Sequence, residues 1–308
     1  MHVLVVSNPK AGQGKELLEF IAILEKQARV EHHVLREHER IDLVLRDSSA
    51  DRIVVAGGDG TIANAAYALR ETGIPLAIYP TGTANLAAAN LELPNTNEAL
   101  AKVVLEGNIV KLDLAELVCR KKAHPHELPE RKGFLLNAGA GFDAHIVRNA
   151  QSLKAKLGSA AYLVAALRII NPPVAKIELT IDGESMQFEG IGVLVLNLGK
   201  LHHDLSLAKN TSWHDGKLEV IVIKAKYPAQ LVMPLVSALI ARKSVDQQKF
   251  WNVLEIRHGK HIKVKTEPTL HVQYDGETIP YETPIEAYVL PDAIRVLVSD
   301  KYIKSIRK

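Results

Sequence analysis

The feature that most constrains this chain is an alternation in its first hundred residues. Short β-branched runs take turns with longer segments of helical period. Val3 to Ser7, VLVVS, gives way to a glycine-bearing turn and then to Lys15 to Ala28. There Leu17, Leu18, Ile21, Leu24 and Ala28 recur at spacings of three and four, which predicts an amphipathic helix. The pattern repeats with strands expected over Val30 to Arg36, Arg52 to Ala56 and Pro75 to Tyr79, and helices over Glu39 to Arg46 and Thr61 to Glu71. Strands that read as continuous apolar runs, each followed by a helix, argue a parallel sheet covered on both faces. The fold class is therefore α/β, at least to about residue 110.

Beyond that point the texture changes. Val110 to Arg120, Gly133 to Ala138, Lys176 to Ile181, Ile191 to Leu198, Lys217 to Ile223, Val253 to His258, Ile262 to Lys265 and Leu270 to Tyr274 are strand-like. Turn residues such as Asp182-Gly183 and Asp275-Gly276 stand between or beside them. Closely spaced strands of this kind predict an antiparallel, β-rich sandwich domain. Helices are expected over Leu153 to Ile170 and Ala229 to Lys243. With 308 residues, two domains are the better expectation: 1–110, to which 294–308 could return, and 111–293.

A single cysteine, Cys119, allows no internal disulfide, and the N-terminus reads as a first strand, not an export signal. A cytoplasmic location is the expectation. Apolar runs such as Leu231 to Ala241 are too short to span a bilayer. A formal net charge of +3 is too small to argue for nucleic acid, while basic clusters such as Lys224 to Lys226 and the C-terminal KYIKSIRK could favour an anionic membrane surface. Solvated lysines are the simpler account of those clusters.

The chemistry begins at Ile53 to Ala63, IVVAGGDGTIA. In a parallel sheet, ligands bind beyond the carboxyl ends of the strands. Gly57, Gly58 and Gly60 let a ligand approach bare backbone, and the following helix offers free N–H groups and its positive dipole end to an anion. Asp59 would repel a phosphate unless a cation lay between them, so one reading is that Asp59 holds a nucleotide's Mg²⁺, directly or through water. The other is a plain turn with Asp59 as helix N-cap. Residues alone leave both open.

Two more small, polar turns follow predicted strands: Ser7 to Lys15, and Pro80 to Asn85. The first is not a Walker loop, since Pro9 stands where glycine is required and Glu16 follows the lysine. Nor is it a dinucleotide fingerprint, because Leu17 occupies the last glycine position. A phosphate cradle here must be of another type.

The ordered set NPKAG (Asn8 to Gly12), GGDGT (Gly57 to Thr61), PTGTAN (Pro80 to Asn85), GFDA (Gly141 to Ala144), HDGKLEV (His214 to Val220) and YDGE (Tyr274 to Glu277) resembles the diacylglycerol kinase catalytic-domain superfamily, in particular the soluble bacterial lipid kinases. GGDGT alone is shared with NAD kinases, and a close variant with phosphofructokinases. The resemblance implies an NAD kinase-like nucleotide-binding domain, a β-rich lipid domain, and ATP and Mg²⁺ in the cleft between them. It implies nucleotide contacts at Asn8, Pro9, Gly12, Gly57, Gly58, Asp59, Gly60, Thr61, Asn64, Gly82 and Thr83. Catalytic roles fall on Asp59 and on Glu277, the latter as general base towards the lipid hydroxyl. A structural Mg²⁺ site is implied at Asp215, through its carboxylate, with backbone carbonyls of Ser212 and Lys217.

The function expected is γ-phosphoryl transfer from ATP to a hydroxyl of a diacylglycerol-like or sphingoid lipid, met peripherally at a membrane surface; a homodimer stays open. An NAD kinase-like enzyme and a non-catalytic nucleotide- or lipid-binding regulator are the alternatives. Ala63 and Asn64 stand where many relatives carry an Asn-Glu pair, Leu86 where an aspartate is frequent, and Leu35 to His38 where a nucleotide-contacting threonine is expected. His202-His203-Asp204 is a poor metal cluster, because adjacent strand residues face opposite ways. His124-Pro125-His126 reads as a solvated hairpin tip.

Overall fold

A computed structural model describes residues 1–8, 14–82, 85–120, 128–141, 173–197, 200–202, 205–206, 213–226, 230, 253–275 and 277–306. The N-terminal part runs β1 (His2–Ser7), α1 (Gly14–Glu25), β2 (Arg29–Val34), α2 (Ile41–Arg46), β3 (Arg52–Gly57), α3 (Asp59–Leu69), β4 (Leu76–Pro80), α4 (Leu86–Asn90) and α5 (Asn97–Glu106). Its strands lie in the order β2-β1-β3-β4, all parallel. Val3, Val5, Val54 and Ala77 pack with α1 and α5 on one face; Leu4, Val6, Ile53, Val55 and Ile78 pack with α2 and α3 on the other. Burial on both faces is why these strands read as unbroken apolar runs.

The remainder is mostly strands: β5 (Asn108–Cys119), β6 (Glu130–Phe134), β7 (Asn137–Gly141), β8 (Ala175–Ile181), β9 (Glu184–Gly190), β10 (Gly192–Leu196), β11 (Lys200–His202), β12 (Leu205–Ser206), β13 (Leu218–Ile223), β14 (Leu254–Gly259), β15 (His261–Glu267), β16 (His271–Tyr274), β17 (Glu277–Glu282) and β18 (Ile285–Val298). Helix α6 (Asp300–Ile306; seven residues) follows. Among the described residues, β14-β13-β10-β7-β16-β17 form one antiparallel sheet. A second antiparallel layer, β9-β8-β15-β18 with β5 and β6, faces it. Phe134, Ala138, Val195, Val220, Val264, Val272 and Ala287 fill the core between the layers. This is the expected parallel sheet followed by a β sandwich.

Strand β18 joins the two regions. Residues 285–288 pair with β15, and Val296 pairs in parallel with Leu76 of β4, while β5 runs alongside for nearly the whole length. The register shifts between Leu290 and Ile294, where Asp292 takes a positive φ of 52°. That bulge separates the stretch of β18 that pairs with β15 from the stretch that pairs with β4, within one continuous sheet.

Several expectations are corrected in detail. Gly133 to Ala138 is not one strand but two, β6 and β7, broken at a corner formed by Leu135 and Leu136. The helix expected from Thr61 starts at Asp59, with Gly58 as its N-cap and no side-chain cap. Strands β9, β17 and the first half of β18 were not anticipated; Pro280, Pro284 and Pro291 interrupt the latter two and hide them. The helix expected over Leu153 to Ile170, the loop at His124-Pro125-His126 and, Gln230 aside, the helix over Ala229 to Lys243 lie outside the described residues.

Candidate functional site

The carboxyl ends of β1, β3 and β4 lie side by side, so the three turns that follow them meet. Asn8 fastens the first to the second: its backbone N–H donates to the Ala56 carbonyl at 3.0 Å, and its Nδ2 donates to Thr61 Oγ1 at 3.3 Å. The Thr81 N–H donates to the Gly57 carbonyl at 3.1 Å and so fastens the third to the second. Glycine is required at two of these places for lack of room. A Cβ on Gly57 would lie 2.7 Å from Thr61 Cβ, and one on Gly82 would lie 2.7 Å from Gly58 Cα.

Asp59 occupies the first turn of α3, and its carboxylate points across the gap to the third turn. Oδ1 accepts the Ala87 N–H at 3.0 Å and Oδ2 accepts the Leu86 N–H at 3.2 Å. The carboxylate thus caps α4 from a neighbouring helix, which overturns its reading as the N-cap of its own. Asn85, left-handed at φ 48°, completes the turn by accepting the Gly82 N–H on Oδ1 at 2.8 Å. Of the other residues expected here, Gly58 and Gly60 are half-buried in the same turn, and Asn64 is exposed on α3. Pro9, Gly12 and Thr83 lie outside the described residues.

The second region brings its own turn to the same place. Asp275 follows β16, at a positive φ of 42°. Its carboxylate accepts three backbone N–H groups from the β6–β7 corner: Leu135 at 2.9 Å, Leu136 at 2.9 Å and Asn137 at 3.0 Å. Its own N–H donates to the Asn137 carbonyl at 2.7 Å. Burial pushes the Asp275 carboxyl up to about 7; the three donors pull the other way, and the charge of Asp59 adds to the rise. Two carboxyl groups from opposite regions therefore sense each other. Glu277 opens β17, its backbone paired with Tyr274.

The loop 213–217 lies near α6, where the Tyr302 hydroxyl and His214 Nε2 are 3.5 Å apart. Asp215 is exposed, with Oδ1 accepting the Lys217 N–H at 3.0 Å; Ser212 lies outside the described residues. What fixes this loop is Asp113, which sequence reasoning missed. It is 2% exposed; its Oδ2 accepts the Gly216 N–H at 2.7 Å and its Oδ1 accepts the Asp292 N–H at 2.9 Å. Its backbone N–H donates to the Trp213 carbonyl at 2.7 Å. Lys111 and Glu116 accompany it in the strand segment VKLDLAEL, so nothing local sets Asp113 apart from its neighbouring charges. Among the described residues there is no group of three His, Cys, Asp or Glu side chains able to hold a metal, and no helix long and apolar enough to cross a membrane.

Comparisons with known proteins bear on the family and the fold. Residues 2–117 match the family model of the diacylglycerol kinase catalytic domain, and residues 137–298 match that of the YegS C-terminal NAD kinase beta sandwich-like domain. An uncharacterised protein of Synechocystis is 30% identical over 81% of this chain, which spans 55% of that relative's length. A Klebsiella pneumoniae protein named "Probable lipid kinase YegS-like" is 25% identical, over 90% of this chain and 93% of its own. Among solved structures, one described as "a putative diacylglycerol kinase from Bacillus anthracis str. Sterne" matches with a TM-score of 0.77 at 25% identity, covering 98% of this chain and 96% of that one.

Proposed function

The chain belongs to the family that joins a diacylglycerol kinase catalytic domain to a YegS-type β sandwich, and from that premise we propose that it transfers the γ-phosphoryl group of ATP to a lipid hydroxyl. The acceptor is a diacylglycerol-like or sphingoid lipid presented at a membrane surface. Residues 1–110 with 294–308 hold the nucleotide, and 111–293 hold the acceptor. The observation that carries this reading is the meeting of the turns after β1, β3 and β4, fastened together by Asn8, Thr81 and Asp59.

The residues fit a nucleotide accompanied by Mg²⁺. Each Asp59 oxygen accepts one N–H and keeps lone pairs to spare, and magnesium is commonly held by one or two carboxylates plus substrate phosphates without an all-protein cage. When bound, the ion would neutralise phosphate oxygens. Amides of the turn at Gly57 to Thr61 orient the phosphates, Gly82 leaves bare backbone beside Gly58, and Asn8 holds the first two turns in register. Phosphoryl transfer through a loose transition state asks mainly for such positioning. Glu277 takes the proton of the acceptor hydroxyl as that oxygen attacks in line. Pro9, Gly12, Asn64 and Thr83 extend the nucleotide contacts, and Asp215 with the carbonyls of Ser212 and Lys217 forms a structural Mg²⁺ site.

The test is to incubate the purified protein with γ-labelled ATP, Mg²⁺, mixed lipid micelles and NAD. Label extracted into the organic phase is the expected result. Label on NAD, or none transferred, overturns the reading.

A further inference from the structure

Helix α3 begins in the nucleotide-side turn and rests its flank on the second region. Its resting point is Tyr67. A Cβ on Gly133 of β6 would collide with Cβ, Cγ and Cδ2 of Tyr67, so the ring lies flat on bare backbone. The Tyr67 hydroxyl donates to Glu116 Oε1 at 2.6 Å, Arg131 donates to the other oxygen of the same carboxylate, and the Arg70 guanidinium sits 3.8 Å over the ring. Glu116 is 7% exposed, so this contact is held from three sides by groups that cannot slide independently.

From Gly133 the chain passes one residue to Phe134 and then into the corner whose N–H groups hold Asp275. From Tyr67 the helix runs rigidly back to Asp59. The Tyr67–Gly133 contact is thus the fixed point of a caliper whose two tips are Asp59 and Asp275. We propose that this contact sets the gap across which phosphate moves, making Tyr67 and Gly133 positioning residues for the transfer. The proposal rests on the phosphoryl-transfer reading above.

Gly133→Ala inserts a methyl where none fits and forces α3 away from β6. Misplacement of about 1 Å at a reacting centre costs roughly a hundredfold in rate, so kcat is expected to fall by about that factor. ATP affinity, set by turns on one side of the gap only, is expected to stay within about twofold of wild type. A loss confined to folded fraction would lower kcat and the number of ATP sites titrated in step, at unchanged affinity, and that outcome overturns the proposal. Should Gly133→Ala fail to fold, Tyr67→Ala carries the same test, with the expected loss of kcat at unchanged ATP affinity; wild-type kcat there is fatal to the idea. Spacing is read separately from activity with nitroxides on Leu43→Cys and Lys265→Cys, both exposed, the native Cys119 being buried. A lengthened distance in Gly133→Ala is expected, and an unchanged distance overturns the caliper. If the wild type transfers no phosphate, the kinase reading fails, while these distances still decide the spacing.

Discussion

Asp59 and Ala87 lie 28 positions apart in sequence, and a 3.0 Å hydrogen bond from the Ala87 N–H to the Asp59 carboxylate joins the second glycine turn to the third. One side chain therefore serves two ends: it closes the N-terminus of α4 and keeps lone pairs facing the turns. Asp59→Ala is expected to abolish phosphoryl transfer. Losing the cap costs about 1–2 kcal/mol of stability, which a urea unfolding curve measures. Wild-type turnover in that variant removes Asp59 from the mechanism.

Gly82 abuts Gly58 so closely that a Cβ would sit 2.7 Å from its Cα. Gly82→Ala is expected to spread the two turns and weaken ATP binding by more than about tenfold, with the circular dichroism spectrum unchanged. Titration calorimetry with ATP and Mg²⁺ checks this.

Glu277→Gln is expected to leave nucleotide affinity unchanged and to lower kcat by about 10² to 10⁴, the range in which a general base contributes. A variant that fails to bind ATP argues against the base role.

The Asp275 carboxyl is raised from 3.8 to about 7 in the fold, chiefly by burial. Between those values the folded chain binds more protons than the unfolded one, so stability falls as pH rises through the window and levels off above about 7. Urea midpoints taken from pH 4.5 to 8 are expected to show this fall. Asp275→Asn is expected to lower the midpoint at every pH, because an amide cannot accept all three N–H groups, and to flatten the slope. A slope that survives the substitution assigns it to another group.

Asp113→Asn tests the loop that carries Asp215. One of two buried acceptors becomes a donor facing an N–H, at a cost of about 1–3 kcal/mol. Chemical denaturation gives the size of the loss.

How much of this was legible in the sequence follows from how local each signal is. Val3 to Val6 and Ile53 to Ala56 are buried on both faces, so their apolar runs announce a parallel sheet without reference to anything else. The glycine turns are equally local, and they stand where the spacing put them. Asp59 was legible as an unusual charge but not as the cap of α4, because its partners at 86 and 87 lie on another strand's turn. Gly133 was legible only as part of a strand, since its need for a missing side chain comes from Tyr67, far away in the chain. The corner at Leu135 and Leu136 was hidden for the opposite reason: two buried leucines continue an apolar run while the backbone turns to offer its N–H groups to Asp275. Strand β18 escaped because Pro291 and the left-handed Asp292 look like the end of a strand, when the strand runs on past them in the same sheet.

That continuity bears on any attempt to take the molecule apart. An N-terminal piece cut at residue 110 would lose the strand that borders β4, and a C-terminal piece cut before 294 would end on a ragged edge beside β5. The two cannot be cloned as separate pieces without exposing an unpaired row of peptide groups on each. Any bending between the two regions would have to strain β18 and β5, which pair with each other on both sides of Pro291 to Ala293.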